Sequence, residues 1–312
     1  MRFSKHSLSE QPLSGNVRET NFVRLVRKSE RLIDFLQAEL PTFGSIKSLR
    51  RALEGNVCRV NGKIERFASA RLDPGDRVEF SAAWEKAASL HSPKLKTDIP
   101  VLFEDEYFKI VDKPAGWVCQ EEFVHRTFGS DHFLIHRLDK DTSGLLLIAK
   151  TLSVKQAFIK LFQEKAVAKV YLALADGIFP EETVKKENYL VKRGLFEGQT
   201  IWGSNASKGL YACTYFRTLA RGHQATLFAC QPITGRTHQI RVHLAELGHP
   251  ILIDRQYANR FRCREFFQRT MLHALRLQFI HPMTQETIDL RVDAPEDMQR
   301  AVGLVGMSLA NG

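Results

Sequence analysis

The segment Leu134 to Lys150, LIHRLDKDTSGLLLIAK, constrains the fold of this chain more than any other. It packs His136, Arg137, Asp139, Lys140 and Asp141 into six positions, and the apolar run Leu145 to Ala149 follows almost at once. A short continuous apolar run bounded by turn residues reads as a strand buried on both faces. Charge held beside such a strand is costly to desolvate unless the groups pair with one another or perform work. A turn whose side chains satisfy the backbone accounts for Asp141-Thr142-Ser143-Gly144. Asp139 sits just ahead of that turn and has no such local explanation.

Around this segment, from Ile99 onward, short β-rich runs alternate with longer helical ones. Phe108 to Val111 reads as a strand ending at Lys113-Pro114-Ala115-Gly116, and Val170 to Ala175 as another. Val154 to Gln163 has Val154, Phe158, Leu161 and Phe162 at helical spacing, with Ser153 as its expected cap. Short antiparallel strands with interspersed helices point to an α+β class and not to a regular parallel sheet.

A smaller unit precedes it. Leu32, Phe35, Leu36 and Leu40 recur at helical spacing until Pro41 and Gly44 break the run. A second helix is expected from Ser45, with Ile46, Leu49 and Leu53 inward and Gly55 as its C-terminal cap. Val57 to Val60 reads as a strand, Asn61-Gly62 as a tight turn, and Pro74-Gly75-Asp76 introduces a last strand, Arg77 to Phe80. The predicted order is αα-then-β. Residues 1–20 are polar and without period, which suits a mobile leader, and 83–98, interrupted by Pro93, suit a linker. The expected domains are therefore 21–82 and 99–312.

A chain of 312 residues with 44% hydrophobic content buries a sizeable core, so global disorder is excluded. The net charge of +10 arises although acidic residues number 35, which favours a polyanionic partner, nucleic acid ahead of membrane. Between Ser45 and Lys63 five basic residues, Lys47, Arg50, Arg51, Arg59 and Lys63, face one acid, Glu54. Phosphate contact and an ordinary solvated helix face both fit that count. Five cysteines without a C-x-x-C spacing favour neither a disulfide framework nor a cysteine zinc site. No secretory apolar stretch opens the chain and no run of about 18 uncharged apolar residues follows, so a reducing, cytoplasmic setting is expected.

A second charged cluster lies at Thr234 to Pro250, TGRTHQIRVHLAELGHP. Ile240, Leu244 and Leu247 mark the buried face of a helix, Thr237 is the candidate cap, and Gly248 with Pro250 ends it. Arg236 and Arg241, five apart, would project about 140° apart on such a helix and could not share one carboxylate through the same surface. His238 and His243, also five apart, are poorly spaced for a shared metal, and no metal site is expected.

Two resemblances extend this reading. RLIDFL, SIKSLRRALEGNVCRVNGK and LDPGDRVEF together resemble the small RNA-binding domain named after ribosomal protein S-four. That resemblance implies a unit that grips RNA. HRLDKDTSG with its apolar strand, DKPAG, AKVYLAL, TGRTHQIRVHL, GHPILIDRQY and LHALRLQFIHPMT resemble, in order, the motifs of the RluA family of RNA pseudouridine synthases. The second resemblance covers about Ile99 to Asp297. It implies a mixed, mainly antiparallel sheet, no cofactor, and structured RNA as the substrate; ribosomal and transfer RNA both fit the family, the extra RNA-binding domain favours large-subunit ribosomal RNA, and nothing in the sequence demands more than a monomer. Asp139 corresponds to the essential aspartate and Arg137 to the arginine that helps displace the target nucleotide. Tyr171 corresponds to the tyrosine that stacks on the flipped uracil. Arg241 resembles the arginine that pairs with the aspartate, Arg236 being the second choice, and His136 with Arg236 joins the expected RNA contacts. The family often has Gly where Ile253 stands, and Thr183 to Asn205 matches no family segment, so an altered substrate loop is expected there.

Those residues suit an isomerisation in which uracil leaves the stack, detaches from C1′, turns and rejoins through C5. A cation such as Arg137 can fill the vacated space, and an aromatic face such as Tyr171 holds the base without fixing its rotation. Asp139 must be ionised either to attack C1′ or to take a sugar proton, and burial disfavours charge, so a guanidinium beside it is required. A glycoside hydrolase would need two carboxylates at a defined separation, and only Asp139 has a persuasive setting. A lapsed RNA-binding factor would not be expected to keep HRLD, Tyr171 and both arginines.

Overall fold

Asn21-Phe22-Val23-Arg24-Leu25 forms strand β1, a short element ahead of the two helices that the αα-then-β reading did not contain. It is held by tertiary pairing, lying antiparallel to Arg77–Ser81 with Phe22 opposite Phe80. The computed structural model describes residues 21–41, 46–54, 57–65, 67–81, 99–196, 199–254, 256–258, 261–263, 265, 267 and 269–309. The expected leader, the expected linker and Gly55 lie outside the described residues. Two compact units divide the chain, Met1–Ser92 and Pro93–Gly312.

In the first unit β1 is followed by β2 (Glu30–Arg31), α1 (Leu32–Glu39), α2 (Ile46–Glu54), β3 (Cys58–Val60), β4 (Lys63–Ile64), β5 (Arg71–Leu72) and β6 (Arg77–Ser81). Strands β1, β6, β3 and β4 form one sheet in that order, and β2 pairs with β5. Helix α1 buries Leu32, Ile33, Phe35 and Leu36, and α2 buries Leu49, Ala52 and Leu53, against Cys58, Val78 and Phe80 of the sheet. Asn61 and Gly62 both take positive φ, +52° and +76°, the geometry a two-residue turn between β3 and β4 requires.

The second unit runs β7 (Val101–Glu104), β8 (Phe108–Lys113), α3 (Glu121–Phe128), β9 (Phe133–Leu134), β10 (Ser143–Ala149), α4 (Leu152–Gln163), β11 (Ala168–Asp176), β12 (Thr183–Phe196), β13 (Gln199–Asn205), β14 (Leu210–Arg221), β15 (Ala225–Pro232), α5 (Gln239–Glu246), β16 (Leu272–Ile280), β17 (Thr287–Arg291) and α6 (Glu296–Leu304). Its eleven strands make one sheet in the order β13-β12-β14-β15-β11-β16-β10-β8-β7, with β17 on β16 and β9 on β10. Among the described strands only β10 and β16 pair in parallel, through Ser143 opposite His273 and Gly144 opposite Ala274. Every residue of β10 is buried, as its unbroken apolar run demands.

Two differences from the sequence reading have identifiable causes. Helix α4 is capped by Thr151, whose Oγ1 accepts from Val154 N at 3.3 Å, because Thr151 holds the extended backbone a cap needs; Ser153 bonds to Thr151 Oγ1. Thr183 to Asn205 is no open loop but the long pair β12–β13, which extends the sheet edge. It is tied inward by Ser204 N donating to Glu246 Oε1 at 3.0 Å and Trp202 N donating to the Tyr257 hydroxyl at 3.1 Å.

Candidate active site

The loop between β9 and β10 carries the charge that the sequence sets beside the buried strand, and two buried cations hold it. Lys113, fully buried at the end of β8, donates to the carbonyls of Pro114, Trp117 and Lys140 at 3.0, 2.9 and 3.0 Å. Burial pushes its ammonium down to about 8. Arg269 pairs with Asp297 at 2.6 Å while donating to the Asp141 carbonyl at 3.0 Å and Ser143 Oγ at 3.2 Å. At Gly144 the backbone has φ +104°, and a Cβ there would lie 2.2 Å from the Ala274 carbonyl oxygen of β16. Only glycine satisfies both the angle and the close approach.

This scaffold presents Asp139 with its side chain 30% exposed. Arg241, projecting from α5, reaches Asp139 Oδ2 through Nη1 at 2.9 Å. The rest of the same guanidinium is gripped by Asp254, with Nε to Oδ2 at 2.6 Å and Nη2 to Oδ1 at 2.8 Å, and Nη2 also donates to Gln256 Oε1 at 2.5 Å. Burial opposes the charge on Arg241, but the bonds and field of Asp254, with Asp139 behind them, more than offset it and hold the guanidinium above its usual range. One planar cation thus bridges a sealed carboxylate and an accessible one.

Helix α5 begins later than the sequence suggests. His238 stands at its N-terminal boundary in the left-handed region, φ +55°, and Thr237 makes no cap. The preceding turn is instead closed by Gln239, whose Oε1 accepts from Thr234 Oγ1 at 2.7 Å and from Arg236 N at 3.0 Å. Arg236 therefore lies outside the helix, exposed, with Nε donating to the Tyr211 carbonyl at 3.0 Å, and the 140° argument does not apply to it. His238 points Nε2 toward Asp139 Oδ1 at 3.6 Å, and its Nδ1 lies 2.7 Å from the Tyr257 hydroxyl. That hydroxyl also accepts from Trp202 N at 3.1 Å. Burial disfavours the charged form of His238 and raises Tyr257 to about 12.

Tyr171, half-buried on β11, packs against the core on each side of it. Burial first, and then the charge of Asp139, push its hydroxyl pKa upward, so the ring stays neutral. Arg137 is exposed and makes no hydrogen bond or ion pair among the described residues. His136 Nε2 accepts from Leu147 N at 3.1 Å and its ring lies 5.2 Å from Phe162. Burial holds that imidazole neutral, down to about 3. His243 is likewise engaged by protein at both nitrogens, with Thr214 Oγ1 at 2.9 Å and Asn188 Oδ1 at 3.0 Å.

Asp254, Gln256, Tyr257, Lys113 and Arg269 form part of this site and had no assigned role in the sequence reading. Asp254 was visible inside GHPILIDRQY as an acid directly after an apolar run, which is the available signal. Ile253, where Gly is expected, takes φ +67°, a conformation that glycine adopts freely and a β-branched residue resists.

Residues 107–246 match the family model for RNA pseudouridylate synthase. The ribosomal large subunit pseudouridine synthase C of Escherichia coli (strain K12) is 33% identical over 309 residues, covering 89% of this chain and 95% of that protein. Its namesake in Salmonella typhimurium is 34% identical over 313 residues, with the same two shares, 89% and 95%. A solved human structure, RNA Pseudouridylate Synthase Domain Containing 1, superposes with a TM-score of 0.54 at 28% identity, covering 64% of this chain and 84% of that one. Fold and site together define an isomerase that acts on RNA. The chain belongs to the RluA-like family of RNA pseudouridine synthases, and its mixed, mostly antiparallel sheet is the fold of that family.

Proposed function

We propose that this synthase acts on large-subunit ribosomal RNA, converting specific uridines to pseudouridine with Asp139 as the essential carboxylate and without a cofactor. The names of the Escherichia coli and Salmonella relatives support the ribosomal substrate. The observation that carries the site assignment is the 2.9 Å pairing of accessible Asp139 with buried Arg241. The reaction is balanced within the substrate: the N1–C1′ bond breaks, the C5–C1′ bond forms, C5 releases a proton and N1 acquires one. No electron or water is consumed. Asp139 supplies the reacting carboxylate, as nucleophile toward C1′ or as base toward the sugar. Arg241 pairs with it and aims it. Tyr171 offers a ring face to the everted uracil, and Arg137, free of protein partners among the described residues, fills the space the base leaves. Arg236 is an exposed candidate for backbone phosphate.

The first unit is proposed as an RNA-binding domain of the S-four type, spanning 21–82. Its α2 and the β3–β4 hairpin carry Lys47, Arg50, Arg51, Arg59 and Lys63. Arg50 and Arg59 are exposed; the side chains of the other three lie outside the described residues. In this reading the enzyme works as a cytoplasmic monomer. Among the described residues no helix is long and apolar enough to cross a membrane.

Carbodiimide-blocked primer extension across ribosomal RNA and transfer RNA, with and without the gene, tests the proposal. Stops in large-subunit RNA should vanish on deletion and return with the wild-type gene but not with Asp139→Ala. Restoration by Asp139→Ala refutes the assigned carboxylate, stops lost from transfer RNA alone refute the substrate, and release of free uracil would indicate hydrolysis instead.

A further inference from the structure

The turn that begins at Asp254 wraps the Arg241 guanidinium along its edge and over one face. Tyr257 N donates to the Asp254 carbonyl at 3.3 Å, which folds the turn back on itself. Asp254 and Gln256 take the edge of the guanidinium, and the Tyr257 ring covers its face, the ring centre lying 5.1 Å from Cζ. The tyrosine hydroxyl reaches a different group. It lies 2.7 Å from His238 Nδ1 and accepts from the Trp202 amide at 3.1 Å. The His238 and Tyr257 rings meet edge-on, with centres 5.7 Å apart and planes at 80°. Trp202 stands where the β12–β13 ladder shifts register, between Lys192 and Gly194 of the opposite strand. Burial raises the Tyr257 hydroxyl to about 12, so at neutral pH it keeps a hydrogen as well as lone pairs for these partners.

Both groups held by Tyr257 face the same carboxylate. Arg241 Nη1 lies 2.9 Å from Asp139 Oδ2, and His238 Nε2 lies 3.6 Å from Oδ1. Their side chains are only 9% and 11% exposed, and His238 stands at the start of α5 with φ +55°. Tyr257 makes no hydrogen bond to Asp139 among the described residues, so it acts on that carboxylate through the guanidinium and the imidazole. We propose that Tyr257 is a positioning residue for the reaction: its ring seats Arg241 on Asp139 Oδ2, and its hydroxyl, anchored to β13 by the Trp202 amide, aims His238 at Oδ1. His238 is thereby the second flank of the carboxylate, on the oxygen that Arg241 leaves open. The inference rests on Asp139 being the reacting carboxylate. Reacting groups must be held by side chains that are themselves fixed, and a misplacement on the order of 1 Å costs about 10²-fold in rate. The contacts that bind RNA elsewhere on the protein do not pass through Tyr257, so its loss falls on kcat and leaves KM in place.

The test is a set of full-length variants assayed for steady-state pseudouridine formation on an RNA stem-loop carrying the mapped uridine, with Tm recorded for each and Asp139→Ala as the control. Tyr257→Phe keeps the ring over Arg241 and loses the hydroxyl; its kcat should fall about tenfold with KM within about twofold of wild type. Tyr257→Leu loses both holds, and its kcat should fall at least about 100-fold. His238→Gln should cost about tenfold in kcat, and Tyr257→Phe combined with His238→Gln should cost little more than either alone, because the hydroxyl acts through the imidazole. Two independent effects would instead multiply to about 100-fold, and that result overturns the inference. Wild-type kcat in Tyr257→Phe or in His238→Gln also overturns it, as does a loss confined to KM, or a lowered Tm with kcat per folded enzyme unchanged. If Tyr257→Leu fails to fold, Tyr257→Phe and the double variant still decide. Retained turnover in Asp139→Ala removes the functional assignment and this inference with it, whereas an inactive Asp139→Ala beside a fully active Tyr257→Phe refutes this inference alone.

Discussion

Replacing Arg241 by Met removes one cation from two carboxylates whose surroundings differ, and the difference sets the outcome. The Asp139 side chain is 30% exposed and can be solvated, whereas that of Asp254 is 0% exposed and loses a two-point ion pair. Breaking a buried pair from one side costs about 3–5 kcal/mol. For a unit of this size each kcal/mol lowers Tm by about 2–4 °C, so Arg241→Met should melt roughly 6–20 °C below wild type. Turnover should also fall by at least about 10²-fold, comparable with losing one charge-stabilising donor from an active site. The double variant Arg241→Met with Asp254→Leu separates the two effects. Removing both buried partners is often neutral, so most of the lost stability should return. Activity should not, because Asp139 still lacks its guanidinium. Thermal unfolding followed by circular dichroism and single-turnover pseudouridine formation read the two quantities. A double variant that melts as low as the single one, or one that regains turnover, would refute this division of labour.

Lys113→Met leaves three carbonyls around the Asp139 loop without their donor, and should cost about 3 kcal/mol and lower kcat more than it raises KM, measured by chemical denaturation and steady-state kinetics. Gly144→Ala should lose at least about 2 kcal/mol, read by urea unfolding, since it combines a positive φ with a clash against the Ala274 carbonyl. Burial holds His243 and His273 down to about 4, against a usual 6.5 when the chain is unfolded. Between those limits the unfolded state binds more protons, so stability is complete above about pH 6.5 and declines as pH falls. At pH 5 each contributes a loss of about 2 kcal/mol, and His273→Gln should flatten the fall in Tm between pH 7 and 5.

The sequence alone carried the elements whose cause is local. Strand β10 was legible because an unbroken apolar run has no other soluble use, α4 because its apolar residues recur at helical spacing, and the Asn61-Gly62 turn because few residue pairs accept two positive φ angles. Asp139 stood out for a similar reason, as charge beside that strand that no turn explained. Other features depended on distant partners. Strand β1 exists because Phe22 meets Phe80, and β12–β13 because an edge strand was available to receive it, neither of which has a signature at short range. Helical spacing even misplaced Arg236, because Gln239 closes a turn where the helix was expected to begin. The ring of partners around Asp139 needed tertiary structure most of all. Arg241, 102 residues away in sequence, was expected beside Asp139 only through the family resemblance, and Asp254, a further 13 along, was not expected at all, because an ion pair leaves no periodicity to read. Spacing reveals which residues share an element. Which elements meet, and therefore which charge is sealed and which is left open to substrate, is decided by how the sheet folds their ends together.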